Sequence, residues 1–208
     1  MSDFAKQRRM MVDCQLRTYD VTDAAVIAGM DKVPREVFVS DPTVAYLDRP
    51  VPMLAGNPRQ LIVPMVFARL VQAAEIVAGD KVLVVGAGTG YGAAVISELG
   101  ATVTALESDP ALQQAAAERL AGWPVTLAKG PLKDGHKAGA PYDVIVVEGA
   151  FQVEPTALLA QLADGGRLVG VRGTGRAASA TIYRRSGSTV GNRTITEAAA
   201  PILAEFTA

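Results

Sequence analysis

The chain contains one cysteine, Cys14, and one histidine, His136, among its 208 residues. One cysteine cannot close an intrachain disulfide or build a thiolate metal cluster. One histidine rules out a His-rich metal site and any triad that needs separate histidines. Cys14 itself reads as a small apolar residue of a helix rather than a nucleophile. No apolar run approaches the length of a membrane span. The opening Met1-Ser2-Asp3-Phe4-Ala5-Lys6-Gln7-Arg8-Arg9 has no apolar stretch leading to a small-residue cleavage site. Twenty Lys and Arg stand against 21 Asp and Glu, a net charge of −1, so no global field draws the chain to nucleic acid or an anionic membrane. Lys6, Arg8, Arg9 and Arg17 read as a solvated helix face. The expectation is a soluble, cytoplasmic protein without a metal.

Half of the residues are hydrophobic and a fifth are charged, enough to bury a sizeable core in one fairly large domain. Residues 3–17 read as helical, with apolar positions at Met10, Met11, Cys14 and Leu16. Thr22 reads as the cap of a helix running to Met30, and Pro34 opens a short helix ending at Phe38. Between Asp41 and Pro64, six prolines and glycines (Pro42, Pro50, Pro52, Gly56, Pro58, Pro64) exclude long regular structure, which predicts a connector laid over something. Val66, Phe67, Leu70, Val71 and Ala74 then recur at helical spacing.

From Lys81 onward, short β-rich runs alternate with helical stretches. The strands fall at 81–85, 102–107, 125–128, 143–147 and 167–171, with helices at 91–99, 110–120 and 155–162. That alternation predicts a doubly wound α/β sheet, because parallel strands need crossover helices. The tail, 180–185 and 194–198 around Gly187, predicts a closing antiparallel hairpin. The expected division is an N-terminal helical section and connector, 1–63, packed on a Rossmann-like core, 64–208.

In such sheets ligands bind beyond the carboxyl ends of the strands. Gly86-Ala87-Gly88-Thr89-Gly90-Tyr91 stands at one such end. A dinucleotide fingerprint needs glycine where this chain has Tyr91. The G-x-G-x-G spacing instead resembles the first motif of S-adenosylmethionine-dependent methyltransferases, although a purely structural strand-to-helix turn has the same letters. Glu107 ends the next strand, where a carboxylate can accept both hydroxyls of a ribose; the plainer reading makes it a cap for the helix near Pro110.

Longer segments are more distinctive. Arg9-Met10-Met11-Val12-Asp13-Cys14-Gln15-Leu16-Arg17, Val33-Pro34-Arg35-Glu36-Val37-Phe38-Val39 and Ala45-Tyr46-Leu47-Asp48 resemble the protein-L-isoaspartate O-methyltransferase family. So do Gly86 to Tyr91, Ala140-Pro141-Tyr142-Asp143, Leu158 to Leu162 and Gly165-Gly166-Arg167-Leu168. The resemblance implies a methyltransferase-type sheet with an antiparallel hairpin at one end and an N-terminal section over the cofactor pocket. It implies methyl transfer from S-adenosylmethionine to the α-carboxyl of isoaspartyl residues in proteins or peptides, the first step of their repair. It implies a cofactor site at Gly86, Ala87, Gly88, Gly90, Tyr91 and Glu107.

The chain also departs from the family's pattern. Anchored on Pro64, Gln60-Leu61-Ile62-Val63-Pro64 stands where the family has Thr-Ile-Ser-Gln-Pro, so Ile62 replaces the serine assigned to catalysis. Val84 replaces an acid that helps hold the methionine ammonium. Pro131 replaces an aspartate near the adenine, with Asp134 three positions on. Glu148 replaces an uncharged residue and reads as a solvated strand-end carboxylate or a new contact to the ammonium. Arg59, Gln60 and His136 are the polar candidates on the substrate side, each more structural than catalytic, so no residue takes a catalytic role. The departures leave two other readings open: a non-catalytic binding or scaffold protein that keeps the fold, and a methyltransferase for a different acceptor.

Overall fold

A computed structural model describes residues 3–208. Its centre is a seven-stranded sheet formed by β3 (Lys81–Val85), β4 (Thr102–Glu107), β5 (Val125–Lys129), β6 (Tyr142–Phe151), β7 (Leu162–Arg172), β8 (Ser179–Ser186) and β9 (Thr189–Glu197). The spatial order is β5-β4-β3-β6-β7-β8-β9. Pairing is parallel from β5 through β7 and antiparallel from β7 through β9. The doubly wound sheet and the closing hairpin are both present. Order reverses at β3, which lies between β4 and β6, so its carboxyl end is the switch point where crevices form.

The alternation of side chains along each strand divides the core in two. Val82, Val84, Val144, Val146 and Val169 face one buried cluster. Leu83, Val85, Ile145, Val147 and Leu168 face the other. The apolar runs are continuous because both faces are covered.

Helices α1 (Phe4–Met11), α2 (Ala24–Lys32), α3 (Pro64–Ala74), α4 (Tyr91–Glu98), α5 (Pro110–Arg119) and α6 (Thr156–Leu159) surround the sheet. Met11, Val12, Leu16, Val26 and Met30 join the first of the two clusters, so the N-terminal section and the sheet share one core. Local chemistry adjusts several expected boundaries. Past α1 the chain widens into a π-helical turn over Val12–Leu16 and then tightens over Arg17–Tyr19. The widened turn buries Val12 and leaves Cys14 exposed, and Met10 at the end of α1 is exposed as well, against the apolar positions expected for both. Asp23, not Thr22, caps α2, accepting from Ala25 N and Val26 N. The helix expected at 155–162 shortens to Thr156–Leu159, since β7 already begins at Leu162.

Arg167 of β7 closes the end of α3. Its guanidinium donates to the Ala74 and Glu75 carbonyls and pairs with Asp80 at 2.7 Å. The last carbonyls of a helix need such donors. Arg167→Ala is expected to lower the unfolding free energy by about 2 kcal/mol, read as a lower urea midpoint with an unchanged slope.

Candidate functional site

The glycine turn leaves β3 with φ of 74° at Gly86, 58° at Gly88 and 101° at Gly90, all in the left-handed region. The amides of Gly86 and Ala87 donate to the Leu106 carbonyl at 3.0 and 3.1 Å, tying the turn to β4. Thr89 Oγ1 donates to the Phe38 carbonyl at 2.6 Å, so the 33–39 segment holds the turn from its other side. Tyr91 is fully buried, edge-on to Phe38 with ring centroids 5.8 Å apart and near Phe67 at the same distance. It sits in this aromatic cluster and does not line the neighbouring cavity.

Five donors converge on Glu107. Gly88 N reaches Oε2 at 2.7 Å, and Ser108 N and Asp109 N reach Oε1 at 2.8 and 3.1 Å. The Arg59 guanidinium reaches both oxygens, at 3.2 and 3.3 Å. A carboxylate offers about four lone-pair sites, so this one is fully used by the chain itself. The cap of α5 is Asp109, which accepts from Ala111 N and Leu112 N. That removes the reading of Glu107 as the helix cap.

A cavity of about 360 Å³ opens beside Glu107, lined by Ala87, Gln113, Ala116, Leu127 and Lys129 among others. Neither Pro131 nor Asp134 lines it; both are exposed. The connector lies over the turn next to it. It forms the short pair β1 (Val51–Pro52) and β2 (Gln60–Leu61), and the loop between them covers the glycines. A Cβ on Gly88 would stand 2.2 Å from Met53 Sδ, so glycine leaves the room that the methionine thioether occupies. Arg59 donates to the Gly86 carbonyl at 2.9 Å.

The chain matches the profile of the Protein-L-isoaspartate(D-aspartate) O-methyltransferase family over residues 6–199. The protein-L-isoaspartate O-methyltransferase of Methylorubrum extorquens is 43% identical over 171 residues, covering 80% of this chain and 74% of that protein. The chain belongs to the protein-L-isoaspartate O-methyltransferase family. The relative of the same name from Gloeobacter violaceus is 42% identical over 169 residues, covering 79% of this chain and 82% of its own. A solved protein-L-isoaspartate O-methyltransferase superposes with a TM-score of 0.83 at 22% identity, over 96% of this chain and 67% of that one. A second, from Plasmodium falciparum in complex with S-adenosyl-L-homocysteine, gives 0.79 at 15%, over 99% and 100%. At those identities the superpositions speak for the fold, which is that of this family.

The family's methyl donor is S-adenosylmethionine, and the residues present suit it in two ways. The turn is a backbone cradle of glycines covered by the side chains of Met53 and Arg59, and Glu107 is a buried acid at the end of β4 beside a cavity. The group now bonded to that acid by side chain is itself a cation, Arg59, whose withdrawal would free one edge of the carboxylate.

Several expected positions come out elsewhere. Arg59 lies on the cofactor side, on Glu107 and Gly86, rather than on the substrate side. His136 is bonded through Nδ1 to the Tyr142 hydroxyl at 2.9 Å and through its amide to Gln161, a structural knot below β6. Gln60 of β2 pairs with Pro52 of β1 and does not line the cavity. Glu148 is not solvated: it is 4% exposed, and its Oε1 has no partner. Burial pushes its carboxyl up to about 8, against the opposing pull of Arg59 and Arg35.

Two residues of the site leave little trace in the sequence. Met53 seals the turn, and an exposed-looking methionine among prolines gave no sign of it. Arg35 is fully buried, donating to the carbonyls of Ala45 and Ile62 at 2.9 and 2.8 Å with its guanidinium carbon 4.7 Å above the Tyr91 ring. Its signal is an arginine set between the apolar Val33 and Phe38 in the most distinctive segment of the chain.

Proposed function

We propose that this protein binds S-adenosylmethionine at the glycine turn and methylates the α-carboxyl of isoaspartyl residues in proteins or peptides. The observation that carries the reading is the joining of Gly88 N and Glu107 across the switch point at 2.7 Å. One strand end thereby carries a glycine turn without side chains under the cover of Met53, and the next a buried acid, beside a cavity of about 360 Å³. Gly86, Ala87, Gly88 and Gly90 would hold the cofactor by backbone approach, Glu107 by its carboxylate, and Tyr91 by fixing the first turn of α4. When bound, the cofactor supplies a methyl group on a sulfonium sulfur, ready for displacement by an oxygen nucleophile.

The chain's own part in that displacement is alignment and exclusion of water rather than strong base catalysis. Met53 and the rest of the connector close over the turn, and Thr89 and Arg35 anchor the N-terminal section to it. In this reading residues 1–63 are the cover of the pocket and 64–208 the catalytic core. The reading also assigns the protein to the cytoplasm, where the exposed, unpaired Cys14 stays reduced. Among the described residues no helix is long and apolar enough to cross a membrane.

The reacting end differs from the family pattern, which favours a second reading, a different methyl acceptor. Ile62 is buried and offers no hydroxyl where the family's serine is expected. Transfer of labelled methyl tests both. With an isoaspartyl peptide the expected product is a base-labile methyl ester. Binding of S-adenosylmethionine without ester formation would move the assignment to another acceptor. No calorimetric heat at millimolar S-adenosylmethionine would overturn both readings.

A further inference from the structure

We infer that Glu148 receives the positively charged amine of the bound ligand, as the positioning residue for the cofactor's amino-acid end. The inference rests on the cofactor reading above and adds a residue to it.

Among the described residues only two acids are buried, Glu107 and Glu148. Glu107 has its oxygens filled by five donors. Glu148 stands in the opposite condition: Oε1 has no partner. An unpaired buried acid is costly, and a chain that needed only packing there would carry a leucine or glutamine.

Its position is specific. Strand β6 pairs in parallel with β3, Val85 opposite Val147, so Glu148 lies one residue beyond the end of β3, level with Gly86. It therefore lies at the same strand end as the glycine turn, buried beneath α4 rather than on the wall of the cavity beside Glu107. The carboxylate reaches across to the first turn of α4, where a Cβ on Gly92 would stand 1.8 Å from Oε1 and 2.9 Å from the Phe67 ring. Gly92 leaves the space the carboxylate uses.

The titratable groups around it are Arg35, Arg59, Glu107 and the buried Tyr91. Both arginines make their bonds elsewhere: Arg35 to the carbonyls of Ala45 and Ile62, Arg59 to Gly86 and Glu107. Neither pairs with Glu148. Val84, the nearest position on β3 to point into the first core, is apolar and fully buried, so no acid of that strand can meet a cation here. What suits an unpaired buried carboxylate is a ligand group carrying positive charge and several N–H donors, and an ammonium has both. The raised proton affinity of Glu148 agrees with an acid held neutral until a cation arrives.

The test compares two ligands by calorimetry on the full chain. S-adenosylhomocysteine carries the ammonium; 5′-methylthioadenosine shares the nucleoside and thioether and lacks the amino-acid end. Glu148→Gln is expected to weaken S-adenosylhomocysteine roughly 30-fold or more and to change methylthioadenosine by less than about twofold. Retained methylthioadenosine binding also shows that the variant is folded. Repeated at pH 7 in buffers of different ionisation heat, the wild type is expected to release a proton on binding S-adenosylhomocysteine, and the variant none. Equal losses for the two ligands, or unchanged affinity for both, would overturn the role of Glu148 while leaving the cofactor reading standing. A wild type that binds neither ligand would bring down the cofactor reading and this inference with it.

Discussion

Glu107→Ala is expected to lower the unfolding free energy by about 3–5 kcal/mol, the scale of a buried ion pair that loses one member. Three backbone amides, Gly88, Ser108 and Asp109, lose their acceptor at once, and the Arg59 guanidinium is left 17% exposed without its counter-charge. For a chain of this size that corresponds to a melting temperature lower by roughly 10 °C. Arg59→Ala should cost much less, about 1–2 kcal/mol, because the three amides still satisfy the carboxylate and the arginine reaches solvent. The asymmetry is the diagnostic part. If thermal unfolding shows the two variants equally destabilised, the amides contribute nothing and the carboxylate is only half of a salt bridge. A double variant that costs little more than Glu107→Ala alone would place the coupling in the pair. The same change removes the acid from the cavity wall, so binding of S-adenosylmethionine should be lost in a variant that still folds.

Why the fold was so legible and the site less so follows from the kind of signal each leaves. Strands β3 and β6 announce themselves because parallel strands covered on both faces are continuous apolar runs, and Gly86, Pro110 and Gly165 punctuate the alternation. β6 runs longer than expected, to Phe151, because Glu148 and Gly149 interrupt its apolar pattern without ending its pairing. The N-terminal boundaries slipped where one residue decides: an aspartate at 23 outcompetes the threonine at 22, and one widened turn exchanges Val12 for Cys14. At the site, Gly86, Gly88, Gly90 and Glu107 were readable because a strand end, a turn and an acid sit at fixed spacing along the chain. Arg59 and Met53 were not, since they reach the turn from a loop some 30 residues upstream whose path no periodicity encodes. Burial of Glu148 was equally invisible. A glutamate after four apolar residues reads as a strand end meeting water, and the packing of α3 and α4 over β6 at Phe67 and Gly92 keeps water away.

That burial makes the pH dependence of stability the second large expectation. The folded carboxyl of Glu148 titrates at about 8, above the 4.5 of an ordinary glutamate, because desolvation disfavours its charged form. Below pH 4.5 the group is neutral in both states and costs nothing. Between 4.5 and 8 the unfolded chain has released its proton while the folded chain still holds it, so folding takes up a proton and stability falls as pH rises. Above 8 the loss is complete, on the order of 4 kcal/mol for a shift of this size. Glu148→Gln keeps the shape and removes the titration. The difference in unfolding free energy between variant and wild type should therefore move by roughly that amount in favour of the variant from pH 4 to pH 9, measured by urea unfolding at each end. A difference that stays flat across the range would mean that Glu148 ionises freely, with water or an arginine beside it. If the difference moves as expected, the ligand experiment gains a clear meaning: the wild type carries an acid that weakens its own fold at neutral pH, and a cation placed against Oε1 would recover that loss on binding.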